Sequence, residues 1–185
     1  MRRLIASFAL CLVPASGAWA EACPAPPDHS TELMELIEAA REAPDERTGR
    51  ALSDEMWALW ADAPDARAQE LLDRGMARRE VYDYAGAMEA FDALVAYCPD
   101  YAEGYNQRAF IHFLRGDYAE ALPELQNALD RSPHHVAALT GQALTLMALD
   151  RKGEAALKLR AALEMNPWLS ERSLLPVLEA EEKDI

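Results

Sequence analysis

Cationic side chains are scarce in this 185-residue chain: 18 Lys and Arg stand against 32 Asp and Glu, for a formal charge of −14. Phosphate binding depends on Lys and Arg to release counterions, so nucleic acid is a poor partner for such a surface. An anionic membrane face is disfavoured for the same reason. Glycine is also sparse, with 8 residues, and none of them forms a phosphate-cradling loop or a nucleophile elbow. Histidines and cysteines show no zinc spacing, so no cofactor or metal is expected and catalysis has no positive support. Long hydrophobic runs are missing too. The longest, residues 4–13, falls short of the roughly 20 residues that span a bilayer.

That short run has a different meaning at the chain's start. Arg2 and Arg3 precede it and Ala18-Trp19-Ala20 follows it, the pattern of a secretory signal. Cleavage is expected after Ala20, giving a periplasmic or secreted protein with no membrane span. Loss of residues 1–20 removes both arginines and no acid, which carries the charge from −14 to −16. Of three cysteines, Cys23 and Cys98 then survive, and an oxidising compartment permits a disulfide between them. By chain entropy such a long loop is worth on the order of 4 kcal/mol. Cys23 lies in a Pro-rich leader, residues 21–29.

The strongest signal is periodic. Pro99, Pro133 and Pro167 stand 34 residues apart. In phase with them recur Ala87, Ala121 and Ala155; Phe91, Leu125 and Leu159; Leu71, Tyr105 and Leu139; and the small Gly75, Ala109 and Ala143. Small residues let paired helices approach closely, bulky ones fill the space beside them, and each proline closes a unit. Gly116-Asp117 suits the turn inside the middle unit, where glycine permits positive φ and aspartate offers a helix cap. The first and third units replace that turn with Asp83-Tyr84-Ala85 and Arg151-Lys152-Gly153.

These residues resemble the tetratricopeptide repeat (TPR) family, with units at 68–101, 102–135 and 136–169. The fold expected is an all-α solenoid of antiparallel helix pairs. Residues 30–67 carry Leu33, Leu36 and Ile37, then Leu52, Met56, Leu59 and Trp60, at helical spacing, and read as a degenerate repeat capping the N-terminal end. Ser30 is a candidate helix cap. Residues 170–185 read as a C-terminal capping helix, bent or interrupted at Pro176, with an acidic tail.

Carried over from the family, the first helix of each unit lines a concave groove. The positions so implicated include Leu72, Met76 and Arg79; Asn106, Phe110 and Phe113; and Thr140, Leu144 and Met147. The places of the family's carboxylate-clamping cations hold Leu72, Met76, Gln107, Ala137 and Gly141 instead, so that clamp is absent. The resemblance therefore implies a non-enzymatic scaffold that takes an apolar protein or peptide segment. The same surface could be covered by the protein's own termini or by a second copy in a homo-oligomer. Trp57 and Trp60 are expected in helical core. His112 is expected as a structural residue between helices, and His134 and His135 in an exposed turn. A rival reading, a metal- or redox-linked accessory protein, would use Cys23, Cys98 and the histidines, and needs free thiols.

Overall fold

A computed structural model describes residues 22–182. The expected signal segment, its expected cleavage point and the last residues of the expected acidic tail lie outside the described residues. Every regular element in the described residues is helical. The three units form the pairs α3 (Ala66–Glu80) and α4 (Tyr84–Tyr97), α5 (Ala102–Arg115) and α6 (Tyr118–Arg131), and α7 (Val136–Ala148) and α8 (Lys152–Met165). Each helix packs on its partner and on the next pair, as a solenoid requires.

The small residues act as the spacing suggests. A Cβ on Gly75 would run into the ring of Phe91, which is fully buried, and Ala109 and Ala143 are each 1% exposed. The turn between paired helices has one conformation in all three units: Tyr82, Gly116 and Asp150, at the same place in the 34-residue period, take φ of 62°, 80° and 58°. Only the middle unit meets this left-handed demand with glycine; the others carry the steric cost on Tyr82 and Asp150. The caps differ as well. Asp83 accepts the amide of Gly86 at the start of α4, whereas Asp117 makes no cap bond and pairs instead with Arg115 at 3.1 Å. Ser30 likewise starts its helix without capping it; its amide donates to Asp28.

The N-terminal pair departs from the expected arrangement. Helices α1 (Ser30–Glu42) and α2 (Glu46–Trp60) form a hairpin, but it does not stack as a cap on the α3–α4 end. Instead α1 packs against α8, at the other end of the repeats. Four polar links fix it there. Trp168 Nε1 donates to the Ala40 carbonyl at 3.1 Å, Arg41 Nε to the Glu164 carbonyl at 2.7 Å, Asn166 Nδ2 to Ser53 Oγ at 2.7 Å, and Arg172 pairs with Glu46 at 2.8 Å. The reason is apolar fit: Leu33, Ile37, Ala40 and Met56 join one core with Leu139 and Ala162, and Gly49 leaves room for the Trp168 ring where any Cβ would collide. The hairpin's base stays by the first unit, where Ala61 and Ala63 join the core of Leu72 and Tyr101. It therefore spans the array from the first unit to the last.

Cys23 and Cys98 are joined, with an S–S distance of 1.94 Å and Cα atoms 5.2 Å apart, tying the leader to the end of α4. After α8 the chain makes a 3-10 turn, Ser170–Leu174, and then α9 (Leu175–Glu182). Pro176 sits in the first turn of α9, where no amide is missed, so it marks the restart of the helix rather than a bend within it. Leu178, 3% exposed, seals the core of Ala155, Ala156 and Leu159.

Candidate protein-interaction groove

Helices α3, α5 and α7 share a concave face that holds an open cavity of about 470 Å³. Six of the expected groove residues line it: Arg79, Asn106, Phe110, Phe113, Thr140 and Leu144. The other three do not. Leu72 is completely buried, because its side chain points between helices into the core with Ala68, Phe91 and Ile111. Met76 packs against that core, and Met147 against the core beneath α9.

The lining polar side chains of Arg79, Asn106, Gln107, Thr140 and Thr145 are already engaged. Asn106 Nδ2 donates to the carboxylate of Glu103 at 3.1 and 3.2 Å, and the Thr140 hydroxyl donates to the Val136 carbonyl at 2.9 Å. Phe110 is different: at 42% exposure it is a large apolar side chain left to solvent. The guanidinium of Arg79 lies 5.1 Å from the centre of its ring, a cation–π arrangement, and donates to Gln107 Oε1. Burial pulls the Arg79 pKa below its ordinary value, opposed by the nearby charges of Glu103 and Glu80. Arg79 stays a cation, since guanidinium keeps its proton in proteins.

Beside the groove lies a buried polar cluster that sequence reasoning placed wrongly. His135, expected in an exposed turn, is fully buried, while its neighbour His134 is exposed. His135 Nε2 lies 2.8 Å from Glu103 Oε2, and its Nδ1 receives the Ala138 amide at 3.3 Å. An accepting Nδ1 puts the proton on Nε2, so the ring donates to Glu103 and caps α7 at once. Glu103, 1% exposed, also receives Gln107 Nε2 at 2.6 Å. Trp60 stacks on the imidazole, with centroids 4.3 Å apart and planes 11° apart. His112 is half-buried, with no hydrogen-bond partner at Nδ1, which lies 3.9 Å from the Asp117 carboxylate.

Two cavity residues come from outside the three units, Trp57 of α2 and Glu171 beyond α8, and Leu169, the last residue of the third unit, joins them. No periodic signal marks Trp57, because it reaches the groove through the return of the hairpin. Trp57, expected in core, faces the cavity, whereas Met56 and Trp60 pack into the core. Gly141 also lines the cavity and brings α7 close to Leu125, whose Cδ2 would lie 2.9 Å from an added Cβ. Among the described residues no three His, Cys, Asp or Glu side chains are placed to hold a metal ion. No described helix is long and apolar enough to cross a membrane.

A family profile described as tetratricopeptide repeat matches residues 72–125 and 111–167, more than half of the chain. The chain belongs to the TPR family. A TPR repeat-containing protein of Rhizobium etli is 27% identical over 114 residues, which covers 62% of this chain and 56% of that protein. The chain spans about half the length of the curated relatives it matches. Among solved structures, the first TPR of Spaghetti bound to an HSP90 peptide superposes with a TM-score of 0.61 at 19% identity, over 63% of this chain and 94% of that one. The MamA RS-1 ArsTM double mutant covers 86% of this chain and 88% of its own, with a TM-score of 0.58 at 14% identity. At those identities the likeness is one of fold. The TPR units here thus share a frame with a structure that holds a peptide, while Gln107, Ala137 and Gly141 line this groove.

Proposed function

We propose that this TPR protein is a non-enzymatic interaction scaffold that takes an apolar segment, an amphipathic helix or an apolar stretch, of a protein partner in its concave groove. The observation that carries this reading is Phe110, open to solvent in a cavity it shares with Phe113 and Leu144. Solvated aromatic surface inside a concavity is retained where a partner covers it. The peptide-bound TPR neighbour supports the same use of the concave face. Arg79 supplies a cationic contact on the groove wall without forming a carboxylate clamp.

The protein acts in an exported, oxidising compartment on this proposal. The N-terminal signal pattern and the Cys23–Cys98 disulfide support that placement. The metal or redox alternative is not favoured: its two thiols are spent on each other, and His135 is committed to Glu103 and Ala138.

The test compares wild type with Phe110→Glu in cross-linked capture from an extract of the exported compartment, followed by mapping of the linked peptides. The variant should keep its helicity and melting point while losing a partner whose linked region is apolar. Equal capture by both proteins, with the fold intact, would refute the groove. A captured second copy of this chain linked through the groove would make self-association the function.

A further inference from the structure

We propose that the N-terminal hairpin is a working wall of the groove, with Trp57 as a specificity-determining contact and Trp168 as the residue that positions it. This rests on the proposed use of the groove and adds which partners it accepts.

Trp57 sits on α2 between two residues that face the core. Met56 is 1% exposed and Trp60 is stacked on His135, yet Trp57 is turned to the same cavity as Phe110 and Leu144. A tryptophan kept out of the core and half-exposed on a groove wall is the type of side chain that dominates interface energetics. It is held there by the contacts that dock the hairpin. The Trp168 ring fills the notch over Gly49 and its Nε1 holds the Ala40 carbonyl, while Asn166, 1% exposed, holds Ser53. None of these contacts belongs to the packing of one repeat on the next.

Two consequences follow from a groove with one wall of repeats and one of hairpin. A segment seated there touches apolar surface on two sides, so the partner is a helix with a broad apolar stripe rather than a narrow seam. Binding and hairpin docking are also linked: a segment that buries Trp57 stabilises the docked hairpin, and loosening the hairpin weakens binding by the same factor.

The test uses the oxidised chain from residue 21 onward and a dye-labelled Leu/Lys amphipathic peptide of about four helical turns. Anisotropy is read at roughly 0.15 M ionic strength, where attraction between exposed charges is screened beyond about 8 Å. Trp57→Ala should weaken binding roughly thirtyfold, the scale of a tryptophan hot spot, and leave hydrogen exchange in α1–α2 unchanged. Trp168→Ala should speed exchange in α1–α2, leave α3–α6 protected and weaken binding about tenfold or more; Trp168→Phe should restore most of both. A peptide of equal length with a narrow Leu seam should bind less well to wild type and be indifferent to Trp57→Ala. Wild-type affinity in Trp57→Ala would overturn the proposal. So would wild-type affinity in a Trp168→Ala protein whose hairpin exchanges freely. If other bonds keep that hairpin docked, the Trp57→Ala arm decides. Phe110→Glu separates the two readings: weak binding there with tight binding in both tryptophan variants refutes the hairpin wall alone. No binding by wild type, or tight binding by Phe110→Glu, refutes the groove and the wall together.

Discussion

Helix α5 carries two regions that invert the usual sorting of side chains. Its first turn buries a carboxylate, Glu103, at 1% exposure; its third turn leaves a phenylalanine, Phe110, 42% exposed. The buried acid is tolerable because His135, Asn106 and Gln107 all donate to it, and an acid so satisfied no longer carries the full cost of leaving water. Among the described residues, the exposed ring is matched by the guanidinium of Arg79 alone among cations. One end of the helix is therefore complete as folded, and the other is, on the proposed function, completed by the partner. The lesson is that burial alone does not sort structural from functional residues here; completeness of partners does.

Breaking the polar end should have the largest effect on stability. Glu103→Ala leaves His135, Asn106 and Gln107 facing a buried gap, and each buried donor left unpaired costs about 1–3 kcal/mol. Urea unfolding should show that loss, with α7 hit directly through its His135 cap. Reduction, or Cys98→Ser, comes next. Releasing the leader from α4 should lower stability by about 2–4 kcal/mol, seen as a drop in melting point that the reductant does not deepen in the Ser variant. The apolar end should respond in the opposite sense. Phe110→Glu should change stability by less than about 0.5 kcal/mol, as surface substitutions do, while partner capture is lost. A large fall in stability would show Phe110 to be as structural as Glu103 and would erase the contrast.

The smallest effect concerns the turn of the first unit. The Gly86 amide, and after it Arg78, hold the Asp83 carboxyl below its ordinary pKa. A carboxyl with a depressed folded pKa stabilises the fold above its unfolded value, near 3.9, and that contribution is lost as pH falls through the folded value. The stability gap between wild type and Asp83→Ala should thus be constant from neutral pH to about 4 and close below it. A gap that widens in acid would show that Asp83 does not act as an ionised cap.

Much of the fold is legible because it is periodic. Pro99, Pro133 and Pro167 phase the three units, and Gly75, Ala109 and Ala143 mark the close helix contacts, since local spacing alone dictates both. Six groove residues follow from the same phase. Leu72, Met76 and Met147 do not, because their side chains pack into or against the cores that hold Ile111 and Leu178. What stays hidden is whatever depends on one contact between distant residues. Trp168 over Gly49 decides that the hairpin crosses to α8, and nothing in either local sequence announces it. His135 follows a unit-closing proline and reads as a turn residue; its burial depends on Glu103, 32 positions earlier, and on Trp60 in the hairpin. The Trp57 wall is illegible for the same reason.

The central claim, that the concave face holds an apolar segment of another protein, is tested most directly by a photo-reactive phenylalanine analogue placed at position 110 of the intact protein. A control analogue goes at Leu157, 61% exposed on α8. Illumination in the native extract and mass spectrometry of the adducts then give the answer. Adducts at 110 should converge on an apolar stretch of a defined partner and be lacking at 157. Adducts at 110 that match those at 157, or that fall only within this chain's own termini, would contradict the claim.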